Sequence, residues 1–190
     1  MKFIKKYLLN TIFIALLLAM IFVPDAKAFF LKGLMEIGFY SPKVETVKTK
    51  PVNLSGLKFS DARGNLIDLG DLKGKVIFLN FWATWCPPCR AEMPSLNKLH
   101  NQFKNDENIV FIFADADGDL AKSTKFMVDR KFDMPVYKPE TDMPEQIFAG
   151  SLPTTIIFDK KGRIAFRHEG IANYANKKFS SFLNQLKASD

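Results

Sequence analysis

The patterning of apolar and polar positions changes near residue 57. Before that point the apolar residues form one long block, from Tyr7 to Val23, behind a basic start at Lys2, Lys5 and Lys6. The block ends at PDAKA, where Ala26-Lys27-Ala28 fits a small-x-small cleavage site, so residues 1–28 have the layout of a secretory leader. The same 17-residue run is just long enough for a membrane span, so a cleaved signal peptide and an N-terminal membrane anchor both stay open. On either reading the rest of the chain is exported, to the periplasm or the outer side of the cytoplasmic membrane. Residues 29–51 read as a lead-in. FFLKGLMEIGFY is apolar without clean periodicity, and SPKVETVKTKPV reads as an extended linker with Pro42 and Pro51.

From Leu57 the pattern becomes regular. LKFSDARGNLIDL alternates as a hairpin does, turned around Ala62 to Asn65 with Gly64 free to take positive φ. GDLKGK follows as a loop. Val76 to Trp82, VIFLNFW, is a nearly continuous run of β formers, the signature of a strand covered on both faces. A helix is predicted to start at Cys86-Pro-Pro-Cys89, with Met93, Leu96, Leu99 and Phe103 at helical spacing and Pro94 kinking it. A second buried strand begins at Asn108, and a helix with an acidic start at Asp119. A short strand around Val136 and a helical turn after Pro144 precede a hairpin, PTTIIFD and RIAFRHE, turned at KKG. The last helix carries Phe179, Phe182, Leu183 and Leu186 as one stripe. This order gives an α/β domain over residues 52–190, a mixed sheet covered by helices.

Composition narrows the function. With 190 residues, 47% of them hydrophobic, the chain can bury one sizeable core without covalent staples. Its net charge of +7 falls to +4 if the leader leaves, because four lysines and one aspartate go with it. The remaining charge is spread out, with no basic block carrying interleaved aromatics, so nucleic-acid binding has no support.

The chain has two cysteines, Cys86 and Cys89, in WCPPCRAE. Exported proteins ordinarily use cysteines as staples. A disulfide closing so short a loop removes little chain entropy, so this pair points to chemistry. At a helix start the Cys86 sulfur faces free amides and the positive end of the helix dipole, which lowers its pKa from about 8.5 and makes it the nucleophile. Cys89, one turn further in and less exposed, is the resolving thiol. Pro87 and Pro88 hold the turn and also delete two amides that would have stabilised the thiolate, leaving those of Cys89 and Arg90. A less stabilised thiolate makes a better reductant. Arg90 pulls the other way, but it lies past the pair and can point to solvent. A structural zinc needs four ligands, and the available set, the two cysteines with His100 and His168, is poorly placed. His100 falls mid-helix beside polar residues and His168 near a strand end, so both are expected at the solvated surface and no metal is expected.

VIFLNFWATWCPPCRAEMP together with SLPTTIIFDKKGRI resembles the thioredoxin superfamily, and within it the TlpA/ResA-like thiol–disulfide oxidoreductases, over roughly Val52 to Leu186. Where thioredoxin carries a buried aspartate, six positions before the first cysteine, this chain has Asn80. The branch tends to place a glutamate three positions after the second cysteine, here Glu92. Cys86 and Pro153 lie 67 positions apart, which matches the branch's central insertion, here around Asp133 to Phe148.

The resemblance implies a thioredoxin-like fold with an N-terminal β-hairpin. Pro153 is then the cis proline facing the disulfide, and Leu152 presents backbone to an extended substrate. Trp85 stands exposed beside the active sulfur while Trp82 joins the core, and Pro87 completes the substrate-facing surface. Glu92 either complements the helix dipole from the first turn or, as a partly desolvated carboxylate, raises the cysteine pKa values and relays a proton to the leaving thiolate. The implied activity is reduction of client protein disulfides, apocytochrome c among them, with electrons from a membrane thiol donor and no cofactor beyond the Cys86–Cys89 disulfide. A peroxiredoxin-type peroxidase fits less well, since Ala83 and Leu79 stand where that motif has threonine and proline. A copper chaperone would use a wider C-x-x-x-C spacing.

Overall fold

Val76–Trp82 is buried at every position and sits inside the sheet, as its continuous run of β formers predicts. The computed structural model describes residues 2–36, 40 and 50–189. Its strands are β1 (Lys58–Asp61), β2 (Leu66–Asp68), β3 (Val76–Trp82), β4 (Ile109–Asp115), β5 (Val136–Pro139), β6 (Thr154–Phe158) and β7 (Ile164–Glu169). The helices are α1 (Lys2–Phe22), α2 (Pro24–Glu36), α3 (Pro87–Phe103), α4 (Leu120–Asp129) and α5 (Lys177–Ala188). One seven-stranded sheet has the order β2-β1-β5-β4-β3-β6-β7. β3 and β5 run parallel to β4, and the remaining pairs are antiparallel, so the sheet is mixed as expected.

The period-2 alternation of the central strands separates two cores. Val76, Phe78 and Trp82 of β3, with Phe111 and Phe113 of β4, face the apolar stripes of α3 and α5 and Met127 of α4. Ile77, Leu79 and Phe81 face the other way. Those residues are covered not by an α-helix but by Leu54, Leu57 and Ile147 from loops and turns and by Leu69 of a short 3-10 turn. Phe148, from the turn after Pro144, stacks on Phe81 with ring centroids 4.3 Å apart. The segment from Asp133 to Phe148 thus closes this face, and its strand β5 pairs with both β1 and β4, joining the N-terminal hairpin to the sheet.

Three segments differ from expectation. GDLKGK is not all loop, since Leu69–Leu72 forms a 3-10 turn capped by the Asp68 carboxylate. The lead-in is helical through Glu36, as α2. Its apolar stripe is narrow: Ala28, Leu31 and Met35 pack with Ala91 of α3, while Phe29 and Phe30 stay exposed and blur the period. The predicted linker from Ser41 to Thr49 lies outside the described residues. His100, expected at the surface, is buried edge-on against Phe111 and Phe113, because the inner face of α3 is wide enough to include it. Burial lowers its pKa. Among the described residues no single helix is long and apolar enough to cross a membrane. The pair Tyr7–Ala19 and Pro24–Met35, bent by 97°, satisfies length and composition together.

Candidate active site

Cys86 ends the turn after β3 as the N-cap of α3, and Pro87 and Pro88 form the first helical positions. Proline suits that place, where an amide has no partner within the helix. The donor that remains is the Cys89 amide, which reaches the Cys86 sulfur at 3.2 Å. Cys86 and Cys89 are joined as a disulfide. Both are buried, Cys86 keeping 3% of its surface and Cys89 none.

Trp85 is 55% exposed, and its indole N–H donates to Asp117 at 2.6 Å, fixing it beside the pair. Trp82 is fully buried in the core. The Leu152–Pro153 bond is cis. Thr154 pairs with Phe81, so the sheet register sets Pro153 level with Trp82, at the end of β3 that leads into the cysteines. Leu152 and Pro87 are half-buried at the same end.

Glu92 is three residues past Cys89, on the same face of α3. Helix α3 begins at Pro87, so Glu92 lies in the second turn, and the expected first-turn placement is corrected. The dipole role weakens with that distance. The carboxyl is wholly buried rather than partly desolvated. Asn80 donates to one of its oxygens at 3.0 Å, and the Ala172 amide to the other at 3.3 Å. Burial pushes the Glu92 pKa up to about 8, against the pull of those two donors. Asn80 also donates to Thr155 at 2.9 Å, and the Tyr174 hydroxyl donates to the same oxygen at 2.8 Å. Burial first, and then the Glu92 charge, hold the Tyr174 phenol well above its ordinary pKa.

Asn80, Thr155, Ala172 and Tyr174 were not singled out from the sequence as site residues. One signal was available for Asn80: alternation along VIFLNFW places it with Phe78 and Trp82, on the face that meets α3. Thr155 follows only from the β3–β6 register, in which it lies opposite Asn80. Arg90 also departs from expectation. Its side chain is 12% exposed, is paired with Asp25 of α2 and lies over the Phe126 ring at 5.6 Å. Among the described residues no group of three or more His, Cys, Asp or Glu side chains is placed to hold a metal ion.

A cysteine pair at a helix start, a cis proline at the end of β3 that leads into it and a buried carboxyl one turn further along α3 constrain the choice of family. The model of the redoxin family matches residues 42–186. The chain belongs to the redoxin family. Among its redoxin relatives is a ResA thiol-disulfide oxidoreductase of a Bacillus cereus strain, 39% identical over 107 residues, covering 55% of this chain and 61% of the relative. The chain therefore spans about three fifths of that protein's length. A second ResA, from another Bacillus cereus strain, is 36% identical over 131 residues, covering 67% of this chain and 72% of that one. The redoxin fold here is similar to a thioredoxin-family thiol:disulfide interchange protein from Chlorobium tepidum TLS, with TM-score 0.57 and 23% identity, covering 74% and 99% of the two chains.

Proposed function

We propose that this redoxin is an exported thiol–disulfide oxidoreductase that reduces client protein disulfides through Cys86 and Cys89. The observation that carries the reading is the buried carboxyl of Glu92, with its pKa raised to about 8, one turn behind the cysteine pair. An acid of that strength exchanges protons near neutral pH, where thiol chemistry needs them.

The reaction balances as a two-electron exchange. The Cys86 thiolate attacks one sulfur of a client disulfide, forming a mixed disulfide and releasing the first client thiol. Cys89 gives its proton to the ionised Glu92 and attacks the Cys86 sulfur. The Cys86–Cys89 bond forms, and the client's two displaced thiolates take protons from water, so that it leaves as a dithiol. In the return half-reaction a donor dithiol reduces the pair, and Cys89, leaving as thiolate, recovers the proton from Glu92. An extended client segment lies against the exposed Trp85 and the half-buried Pro87 and Leu152, with Pro153 buried beneath them.

The direction is reducing. Pro87 and Pro88 leave the Cys89 amide as the donor to the Cys86 sulfur, and the buried Glu92 disfavours negative charge nearby whenever it is ionised. The N-terminal apolar segments Tyr7–Ala19 and Pro24–Met35 together hold the domain at the outer face of the cytoplasmic membrane, a membrane thiol carrier supplies electrons, and apocytochrome c is the client class.

Equilibration of the full chain against glutathione, read by thiol labelling, tests the direction. The expected potential lies near that of thioredoxin, about −270 mV, and a value above roughly −180 mV overturns the reductant reading. A Cys89→Ser variant expressed in the native host should hold clients as mixed disulfides on Cys86. A trapped set without apocytochromes removes that client class.

A further inference from the structure

Helix α2 precedes the redox domain in sequence yet lies against the active-site helix. Ala28 and Met35 bury against Ala91, two residues past Cys89, and the Asn173 side chain donates to the Met35 carbonyl at 3.3 Å. At the N-terminal end of α2 the Asp25 carboxylate meets two guanidinium groups. One is Arg90 of α3, and the other is Arg130 at the end of α4, 2.5 Å away. Both arginines also lie over the Phe126 ring, at 5.6 and 5.3 Å, and this ring packs on Trp82.

Arg90 follows the cysteine motif directly, and its amide donates to the Cys86 carbonyl at 3.0 Å, so it sits one turn above the nucleophile. Its side chain lines a cleft with Thr84, Trp85 and Phe126, beside Lys122 and Lys125. Asp129 stands in the same cleft but is engaged by Lys125 at 2.8 Å. A cation in this place, held at low exposure, favours the Cys86 thiolate unless it is compensated. Other charged groups on the elements packed around this helix start are Lys122, Lys125 and Asp129 of α4, Arg130 at its end, Asp115 of β4, which accepts from Ser123, Asp117, held by Trp85, and the buried Glu92.

We propose that Asp25 is a positioning residue for the redox pair: by seating and neutralising Arg90, it withholds the guanidinium charge from Cys86 and keeps the dithiol a strong reductant. The proposal rests on the oxidoreductase reading above. It also ties redox tuning to the leader. Cleavage after Ala28 would remove Asp25 and leave the Arg90 charge, one helical turn from Cys86, without this partner, so the two forms of the chain would differ in thiol acidity.

The test uses the full chain in detergent, reduced, with the rate of Cys86 alkylation followed against pH. Asp25→Asn should move the midpoint of that profile down by about half a unit, roughly threefold in the thiolate-to-thiol ratio. The glutathione equilibrium should move by a similar factor toward the oxidising side, about 14 mV for a two-electron couple. Asp25→Glu should restore the wild-type profile. In an Arg90→Gln background, Asp25→Asn should have no effect. An unchanged midpoint in Asp25→Asn overturns the proposal, and so does an equal shift with Arg90 replaced. These readouts need no client, so they can fail while client reduction by the wild-type chain stands. Conversely, a wild-type chain that reduces no client defeats the functional reading and leaves the acidity result intact.

Discussion

Glu92 carries the proton in the proposed reaction, and its burial has an energetic consequence. Its pKa is about 8 in the folded chain and near 4.5 in the unfolded one. Between those values the unfolded chain has lost this proton and the folded chain keeps it. Stability contributed by the protonated carboxyl is therefore complete below about pH 4.5 and lost as pH rises to about 8, on the order of 5 kcal/mol in total. Glu92→Gln should flatten that part of the pH dependence, so that urea midpoints of wild type and variant diverge from pH 5 to pH 8 in favour of the variant. Parallel pH curves would mean that Glu92 does not hold its proton. The same variant should lower the midpoint of Cys86 titration, since it removes a negative charge that opposes the thiolate. An unchanged midpoint would confine Glu92 to a structural role. Asn80 supports this carboxyl, and Asn80→Ala should destabilise the fold by about 1–3 kcal/mol, because it removes one of the two buried donors to each of Glu92 and Thr155. At this scale the sequence was informative about the residues of the candidate site's motifs and poor on the groups packed around them. Cys86, Cys89, Trp85, Glu92 and Pro153 could be read from a motif. Thr155 and Tyr174 enter only through strand register and the path of the chain after β7.

Among the elements, β5 connects more than its four residues suggest. Its residue Tyr137 pairs with Asp61 of β1 on one side and Ala114 of β4 on the other. The β1–β2 hairpin reaches the rest of the sheet through this strand. Tyr137→Pro removes an amide from a strand with neighbours on both sides. Hydrogen exchange should then show lost protection in Phe59–Asp61 while β3 stays protected. Uniform protection would mean that the hairpin is held by its apolar contacts alone, Phe59 against Phe81 among them. Strands with dense β formers and helices with a broad apolar face were legible, and Val76–Trp82 has the very bounds read from its pattern. Helix α2 was not legible, because its buried stripe is three small or flexible side chains and two exposed phenylalanines interrupt it. His100 was misread for the opposite reason: polar neighbours in sequence say little about a helix face whose inner side meets Phe111 and Phe113.

Across the whole molecule, the docking of α2 bears on how the chain meets the membrane. Along α1, Leu8, Leu9, Phe13, Leu16, Ile21 and Phe22 are 59–75% exposed, a continuous apolar surface that water does not favour. The turn into α2 is sharp, 97° between the two apolar segments. If α1 enters the bilayer, α2 runs near its plane, with Phe29 and Phe30 free to face lipid while Ala28 and Met35 face the redox domain. A leader peptidase acting after Ala28 would have to extract a helical residue that keeps 7% of its surface and lies in contact with α3. We predict that the anchor is retained. A phosphatase fused after Asp190, active only outside the cytoplasm, should be active. The chain should stay in the membrane fraction through an alkaline carbonate wash, and its intact mass should include Asp25. A washed-out chain beginning at Phe29 would show that α2 yields to processing, and the Asp25–Arg90 contact would then exist only before cleavage. An inactive fusion would put the redox domain in the cytoplasm and remove the exported setting on which the proposed clients and electron donor depend.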